Sequence, residues 1–336
     1  MKGKSWIKII IAVGIIISLT FGVVACGGQG QNQKADSPKE ERTPINLRWG
    51  TISAGGAWQI VGSAMLEDIV NEHKHITGTI LPSATAANVV GVHEGTFDIA
   101  FSLTDTTYSA WEGTGFFKDK GEIKDLRNVA TLYPQATHLI VWDNSNIKGI
   151  EDLKGKRVSP GARGLSSDLQ ASKLLELYGM SYNDMKVEFL SFDDGTQAMI
   201  DGHLDALLYT AVPYPFAPVV KVNARSQIRF LEIPIDKANK LAEAPGVEVF
   251  VLPGNLYKGI DYGTQGIAVR AHIIVREDMP EDIVYDITKT IAENFKRYGD
   301  VIAVMKNSTR ENMTDDAGIP LHPGAERYYR EQGLIK

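Results

Sequence analysis

The fold is decided by the stretch Gly50-Thr51-Ile52-Ser53-Ala54-Gly55-Gly56-Ala57-Trp58, where a strand pattern gives way to a helix pattern. Before it, apolar and polar residues alternate from Ile45 to Trp49, which is typical of a strand with one buried face. After it, apolar residues recur at helical spacing as far as Ile69, which predicts a helix packed on a sheet. The first N–H groups of that helix lack intrahelical acceptors, so the loop suits an anion or a carbonyl. An ordinary turn capped by Ser53 is the alternative that the loop alone leaves open.

Hydroxyl-rich segments follow the next predicted strands as well. The strand pattern at residues 76–81 runs into the polar segment 82–88, and the buried pattern at residues 99–101 runs into segment 102–105. In open parallel α/β sheets the ligand crevice lies at the carboxyl ends of the strands. We therefore expect these segments to converge on one edge of a parallel sheet.

The same plan recurs later in the chain. A strand, a Gly/Ser loop and a helix pattern are repeated over residues 157–178, and the motif Gly95-x-x-Asp98 before a buried strand is echoed by Gly202-x-x-Asp205. These repeats predict two lobes of similar plan that aim polar loops at a shared cleft, which a hinge can close around a ligand. Segments 129–133 and 138–142 are predicted as two strands, and residues 265–275 as one strand long enough to cross between lobes.

The amino end has the pattern of an export signal. Three lysines precede an uncharged, mainly apolar run that ends in Val23-Val24-Ala25-Cys26. A retained transmembrane anchor is the alternative. The closing motif resembles a bacterial lipobox, which implies that residues 1–25 are a lipoprotein signal peptide and that Cys26 is lipidated. Residues 26–44 are then a flexible tether, since they lack apolar periodicity.

Composition excludes several functions. The 336 residues are enough for two domains, and the formal net charge of −6 becomes −9 when the three lysines of the signal are removed, so a nucleic-acid partner is not expected. Cys26 is the only cysteine, which leaves no disulfide framework and no thiolate metal site. No phosphate loop, nucleophile elbow or zinc-protease helix is present, and Asp193-Asp194 is interpreted as a loop or helix cap. We predict a protein that is not an enzyme and binds neither a metal nor a cofactor.

Taken together, the residues resemble the TAXI-type solute receptors of tripartite ATP-independent periplasmic (TRAP) transporters, in which a binding protein hands its ligand to an ion-driven permease. The resemblance covers residue 46 to the end. It rests on these matching pieces: Gly50-Thr51 with Gly55-Gly56, Ser83-Ala84-Thr85 with Asn88, Gly95 with Asp98, Asp152-Leu153-Lys154-Gly155-Lys156, Gly202 with Asp205, and Leu321-His322-Pro323-Gly324-Ala325.

The resemblance implies a type II periplasmic-binding-protein fold of class α/β, with two lobes joined by crossover hinge strands. Lobe I is expected at residues 45–138 and 266–336, and lobe II at 139–265. The implied ligand is a small organic acid, of the dicarboxylate or acidic amino acid type, held by loop amides and hydroxyls. The implied protein is a monomer, anchored outside the cytoplasm by its lipid, that delivers this ligand to a membrane permease.

The resemblance also implies a set of ligand contacts. The expected ligand-binding residues are Ser53, Trp58, Ser83, Asn88, Thr104 and Asp105 from lobe I, and Arg163, Ser166, Ser167, Tyr209 and Pro213 from lobe II. Arg163 is the best single candidate to hold a carboxylate, because its guanidinium can bind two oxygens at once. Leu165 and Val212 stand where the family usually has small residues, which makes this side of the cleft bulkier.

Several alternatives stay open. In the alternative interpretations of the site residues, Trp58 is a core residue and Arg163 is a surface charge. Ser83 and Asn88 are then helix caps, and Asp105 caps a helix or holds an amine. At the level of function, a sensor of the same fold that reports ligand to a signalling kinase is the first alternative. A secreted hydrolase is the second.

Overall fold

The computed structural model describes residues 43–52, 56–211 and 214–336. The predicted signal peptide, Cys26, all but the last two residues of the predicted tether, Ser53 and Pro213 lie outside the described residues. The described strands are β1 (Ile45–Gly50), β2 (Ile76–Leu81), β3 (Ile99–Leu103), β4 (Leu126–Trp142), β5 (Arg157–Ser159), β6 (Lys186–Val187), β7 (Ala206–Ala211), β8 (Ile228–Phe230), β9 (Val247–Leu252) and β10 (Thr264–Arg276).

The helices alternate with these strands in the first two thirds of the chain and cluster at its carboxyl end. The described α-helices are α1 (Ala57–Glu72), α2 (Thr85–His93), α3 (Thr104–Trp111), α4 (Ser166–Glu176), α5 (Phe192–Ile200), α6 (Ala217–Arg225), α7 (Ile235–Leu241), α8 (Glu281–Glu293), α9 (Phe295–Val301) and α10 (Pro323–Glu331). In the part of the chain that the structure describes, no helix combines the length and apolarity needed to cross a bilayer.

The strands form one mixed sheet with a mirrored order. Its main path is β2-β1-β3-β10-β4-β7-β5-β6, with β8 paired to β4 and β9 paired to β10. The pairs β1–β2, β1–β3, β5–β6 and β5–β7 are parallel, whereas β10 is antiparallel to both β3 and β4. A βαβαβα unit over residues 45–111, called unit I, therefore lies on one side of the β10–β4 pair. An equivalent unit over residues 157–225, called unit II, lies on the other. This arrangement confirms the predicted fold class.

The prediction of two strands at residues 129–133 and 138–142 is wrong, because both belong to the 17-residue strand β4. The pairing with β10 shifts between Arg270, which lies opposite Pro134, and His272, which lies opposite Thr131. Two β4 residues therefore face one β10 residue, which is a β-bulge. Proline lacks an N–H and is tolerated in strands at such irregularities, so Pro134 does not end the strand.

Helix α1 shows how the local pattern builds the core of unit I. Its buried face includes Trp58, Met65 and Ile69, which pack on the sheet. Burial of each such side chain contributes roughly 1.5–3 kcal/mol. Close packing also explains Gly62, since a Cβ there would lie 2.8 Å from the Phe101 ring. The first helix predicted from the sequence is confirmed in its position and its buried face.

An Arg–Asp pair joins the first and third strands of unit I. The Asp98 carboxylate accepts hydrogen bonds from the Arg48 backbone N–H at 2.8 Å, from Nε at 2.9 Å and from Nη2 at 2.8 Å. In return, the Asp98 N–H donates to the Arg48 carbonyl at 3.0 Å. The Arg48 guanidinium holds the pKa of Asp98 below its ordinary value, against the opposing effect of burial.

Unit II contains the same device. The Asp205 carboxylate accepts from the Arg157 N–H at 2.8 Å, from Nε at 3.1 Å and from Nη2 at 2.6 Å. The turns before both aspartates use glycines with positive φ, at 73° for Gly95 and 77° for Gly202. The Gly-x-x-Asp echo in the sequence thus corresponds to the same local structure in both units.

Candidate ligand-binding site

A cavity of about 380 Å³ lies between units I and II, at the carboxyl ends of their parallel strands. The lining residues come from both units and from the crossing strand β4. They are Ile52, Gly56, Ala57, Trp58, Thr85, Leu103, Gln135, Leu165, Ser166, Phe192, Asp193, Thr210, Ala211, Phe216, Ala217 and Pro218. The cavity occupies the position that the polar strand ends predicted, and its volume is typical of a small-molecule site.

Six helices begin at this cavity. The N-cap residue or the first turn of each helix from α1 to α6 supplies at least one lining residue. A helix N-terminus carries unpaired N–H groups and a partial positive charge of about half an elementary charge. The backbone therefore contributes positive potential around the cavity, which the first-turn carboxylates of α3, α4 and α5 partly offset.

Most of these helix N-termini lack a side-chain cap. The N-cap residues of α1, α2, α3, α4 and α6 are Gly56, Ala84, Leu103, Leu165 and Phe216, and none accepts a capping hydrogen bond. Helix α5 differs, because the Ser191 hydroxyl accepts from the Asp194 N–H. Since Ser, Thr, Asp, Asn and Gly are the usual N-cap residues, the apolar N-cap residues of α2, α3, α4 and α6 are unusual. They leave backbone donors for another acceptor, except the Thr106 N–H of α3, which donates to Asp105.

Two buried polar side chains face the cavity with unused hydrogen-bonding groups. Gln135 of β4 is 7% exposed and Thr85 of α2 is 3% exposed, and both line the cavity. No described residue forms a hydrogen bond with the side chain of either. Buried polar groups are normally paired, so an amide and a hydroxyl left free at a cavity point to a polar ligand group.

The rest of the lining is largely apolar. In unit II the rings of Phe192 and Phe216 pack edge to face, with centroids 5.3 Å apart, and Leu165 lies beside them in the lining. In unit I, Trp58 contributes to the lining while its ring stacks on Phe101 at 5.6 Å. The bulk predicted at Leu165 is thus part of the cavity wall.

A buried carboxylate connects the two units beside the cavity. Asp105 is 1% exposed, and its Oδ2 accepts hydrogen bonds from Ser166 Oγ and from Gln170 Nε2, both at 2.6 Å. Its Oδ1 accepts from the Thr106 N–H at 2.7 Å. Since Asp105 lies in the first turn of α3 and its partners Ser166 and Gln170 lie on α4, these hydrogen bonds exist only when the units are in contact.

Of the predicted site residues, Trp58 and Ser166 line the cavity. Asp105 and Thr104 lie next to it, and their side chains are bonded to different parts of the protein. Trp58 is also buried in the core. Its position therefore fits both the prediction of a cavity residue and the alternative of a core residue. Asp105 is buried against Ser166, as described above. The Thr104 hydroxyl donates to the Gly246 carbonyl and accepts from the Arg270 N–H, which joins α3 to the segments around β9 and β10.

Other predicted residues lie outside the lining. Asn88 is buried inside α2, where its amide donates to the carbonyls of Thr51 and Phe101, so it is not the cap of that helix. Ser83 is half-buried and precedes the N-cap Ala84. Ser167 is buried in the first turn of α4.

Tyr209 is buried under the aromatic wall of unit II. Its hydroxyl donates to the Phe192 carbonyl at 3.3 Å, and burial raises its pKa. The ring packs against Phe192 with a centroid distance of 4.6 Å. Tyr209 therefore supports a lining residue from behind.

Arg163 is exposed and stacks on an aromatic ring. The centre of its guanidinium lies 3.6 Å from the Phe189 ring centroid, and the residue is absent from the cavity lining. The structure thus places Arg163 in a cation–π contact rather than beside the polar groups of the cavity. The alternative of a surface charge fits this position.

Sequence reasoning missed several lining residues. Gln135, Thr210 and Phe216 were not singled out, and Asp193 was interpreted only as a cap or loop residue. A single polar residue in a strand such as Gln135 gives no periodic signal. The signal for Phe216 was present, since an aromatic residue followed by Ala217-Pro218 marks a helix start without a polar cap.

A larger depression, of about 690 Å³, is a weaker candidate for a solute site. It is lined by Lys148, Glu151, Arg229 and Asp236, among others, and by Tyr178 beyond the carboxyl end of α4. Of the described α-helices, only α7 has its N-terminus in this lining, so the depression lacks the convergence of N-termini seen at the first cavity. Within the described ranges, no three His, Cys, Asp or Glu side chains are grouped so that they could hold a metal ion.

The mirrored sheet, the crossing strands and a cavity at the carboxyl ends of the parallel strands define the α/β fold class of periplasmic solute-binding proteins. The chain belongs to the NMT1-like family, with residues 49–333 matched. This match spans both units and the carboxyl-terminal helices, so it includes the whole described cavity.

A solved structure agrees with this fold. XAC2383 from Xanthomonas citri, solved bound to ATP, is 14% identical to this chain with a TM-score of 0.52, and the similarity covers 86% of this chain and 96% of that one. The periplasmic aliphatic sulphonate binding protein SsuA from Escherichia coli is 16% identical with a TM-score of 0.49, covering 86% of this chain and 84% of that one. At 14% identity, the likeness to XAC2383 shows the fold alone.

Proposed function

We propose that this protein is an extracytoplasmic solute-binding receptor that captures a small carboxylate-bearing molecule by closure of two lobes. The lobes are residues 45–138 with 266–336, and residues 139–265. The cavity carries the proposal, because it collects six helix N-termini and two buried polar groups that no described residue pairs, between the two units. The hydrogen bonds from Ser166 and Gln170 to Asp105 are the kind of contact that a closed form makes and an open form loses.

We further propose that the receptor delivers its solute to a TRAP-type permease and is held at the membrane by a lipid on Cys26. These parts rest on the TAXI resemblance and on the lipobox pattern at residues 23–26. The protein itself performs no catalysis in this proposal. The ligand classes implied by the resemblance are dicarboxylates and acidic amino acids.

Solute binding is tested by native mass spectrometry of the full-length protein, followed by thermal unfolding with a panel of organic acids and amino acids. A ligand present at 100 times its Kd stabilises the folded state by about 2.7 kcal/mol, so a true ligand raises Tm clearly. Absence of any bound solute and of any shift across the panel would contradict the receptor proposal.

Delivery and anchoring need separate experiments. Uptake into proteoliposomes that contain a candidate permease should require both this protein and an ion gradient, whereas uptake driven by ATP would contradict a TRAP partner. The variant Cys26→Ser should move the protein from the membrane fraction to the aqueous fraction. Retention of that variant in the membrane would favour an uncleaved anchor instead.

A further inference from the structure

We infer that the ligand is an α-amino acid with an apolar, preferably aromatic, side chain, rather than a dicarboxylate. This inference rests on the proposed solute-binding function and narrows the ligand class of the same cavity. It follows from the charges, the free polar groups and the apolar surface of the lining, which are taken in turn below.

The cavity has no cationic side chain to neutralise a second carboxylate. No lysine or arginine is present among the lining residues that the structure describes, and Arg163 is stacked on Phe189. Asp193 is the one charged residue in the described lining. Placing two carboxylates beside a third without a cation is electrostatically unfavourable.

One carboxylate can nevertheless be bound. The uncapped N-termini of α1, α2 and α4 supply backbone N–H groups and a partial positive charge at the cavity. The buried Gln135 amide and Thr85 hydroxyl add two side-chain donors that no described residue uses. Together they can satisfy the oxygens of a single carboxylate without a salt bridge.

Asp193 offers a partner for an ammonium group. It lies in the first turn of α5 and lines the cavity, and no described lysine, arginine or histidine forms an ion pair with it. The adjacent Asp194 differs, because its Oδ2 accepts from the Ser191 hydroxyl at 2.7 Å and it is absent from the lining. A ligand that carries both a carboxylate and an ammonium therefore matches the two kinds of polar group in the cavity.

The remaining surface fits an apolar body. Phe192, Phe216 and Leu165 form the wall of unit II, and Trp58 and Leu103 face them from unit I. Aromatic pairs gain roughly 0.5–1.5 kcal/mol beyond area burial. A polar second end, such as the side-chain carboxylate of glutamate, would lose its hydration against this wall without gaining a partner.

The inference is tested by titration calorimetry of the full-length protein with L-phenylalanine, L-leucine, 3-phenylpropionate, L-glutamate and succinate. We expect L-phenylalanine or L-leucine to bind at least tenfold more tightly than L-glutamate and succinate. 3-Phenylpropionate has the same body and carboxylate but no ammonium, so it should bind at least tenfold more weakly than L-phenylalanine. Tighter binding of L-glutamate or succinate would overturn the inference and leave the proposed function intact.

A matched pair of variants tests the role assigned to Asp193. Asp193→Asn should weaken binding of L-phenylalanine at least tenfold while leaving 3-phenylpropionate within about twofold. The control Asp194→Asn, one residue away in the same helix turn, should leave both affinities within about twofold. An unchanged Kd of Asp193→Asn for L-phenylalanine would overturn the inference. Absence of binding by all five compounds, together with absence of any bound solute by native mass spectrometry, would overturn the proposed function and the inference with it.

Discussion

Units I and II have the same scaffold but different cavity surfaces. In both, an arginine on the first parallel strand is bound by the aspartate that precedes the third, with Arg48–Asp98 at 2.8 Å and Arg157–Asp205 at 2.6 Å. These pairs lie near the amino ends of β3 and β7, whereas the cavity lies at the carboxyl ends. The scaffold is thus fixed at one edge of the sheet, and the loops at the other edge are free to differ.

The difference lies in what each unit presents to the cavity. Unit I contributes the Thr85 hydroxyl and the glycine-rich entry to α1, whereas unit II contributes the aromatic wall of Phe192 and Phe216 and the carboxylate of Asp193. The repeated residues of this chain thus belong to the scaffold, and the residues that differ belong to the cavity lining.

The crossing strands extend the comparison, since each carries a fully buried histidine. His272 of β10 is hydrogen-bonded to Thr107 of α3, and His138 of β4 to Tyr257. Burial lowers the pKa of His138 to about 4 and that of His272 to about 3, from 6.5. Both histidines are therefore neutral in the folded protein at neutral pH.

The largest expected effect is on stability below pH 6.5. The unfolded chain takes up protons on these histidines as pH falls through 6.5, whereas the folded chain does not do so until about pH 4. Stability is thus full above pH 6.5 and decreases below it, by about 2 kcal/mol per histidine at pH 5. These two histidines should contribute about 4 kcal/mol to the difference in urea unfolding between pH 7.5 and pH 5, and His138→Gln should remove about half of that contribution. Equal stability at the two pH values would contradict the burial of both histidines.

The next effect concerns the two Arg–Asp pairs. Asp98→Ala and Asp205→Ala each remove an acceptor of three hydrogen bonds, and each should lower the free energy of unfolding by about 1–3 kcal/mol, allowing for the partial exposure of both pairs. Because the pairs are in separate units, the double variant should show an additive loss in urea unfolding. Ligand affinity of the folded variants should stay within about twofold. A lower free energy of unfolding in only one of the two single variants would show that the two pairs are not equivalent.

A smaller effect is expected where the units meet. Asp105→Asn sets an amide N–H₂ against the donors of Ser166 and Gln170, so the contact between α3 and α4 should weaken. A ligand that favours the closed form should then lose about tenfold in affinity, and small-angle scattering of the free protein should show a larger radius of gyration. Asp119→Asn, the same change at an exposed aspartate outside these hydrogen bonds, is the control. Unchanged affinity and an unchanged radius of gyration would show that closure does not depend on this contact.

The smallest effect is expected at Arg163. Since its guanidinium stacks on Phe189 outside the cavity lining, Arg163→Ala should change the ligand Kd by less than about twofold. A loss of tenfold or more in titration calorimetry would instead restore Arg163 as the carboxylate ligand that the resemblance implied. Such a loss would also mean that the ligand anion is bound by an arginine side chain of unit II and not by backbone N–H groups.

Local patterns predicted the repeated scaffold well. The strand-loop-helix at residue 50 and the two Gly-x-x-Asp turns were readable because their hydrogen bonds and periodicity involve neighbouring residues or a short motif. The single strand β4 was not predicted, since the bulge that accommodates Pro134 depends on pairing with β10. Local sequence gives no sign of such a long-range register.

Long-range contacts account for most of the differences at the site. Asp105 was expected to face the ligand, but its carboxylate is satisfied by Ser166, 61 residues later in the chain. The guanidinium of Arg163 stacks on the Phe189 ring. Gln135 is a cavity residue only because six helices begin around it. Each of these depends on tertiary proximity that composition and periodicity do not encode.

The central claim is that the cavity between the two units is the solute site. The most direct test measures solute affinity by titration calorimetry after filling the cavity with Ala217→Trp, at an exposed lining position where a large side chain does not disturb the core. The control is Ala303→Trp, at an exposed alanine outside the lining. The account predicts that Ala217→Trp abolishes measurable binding while Ala303→Trp binds like the parent protein with the same Tm. Unchanged affinity of Ala217→Trp would contradict it.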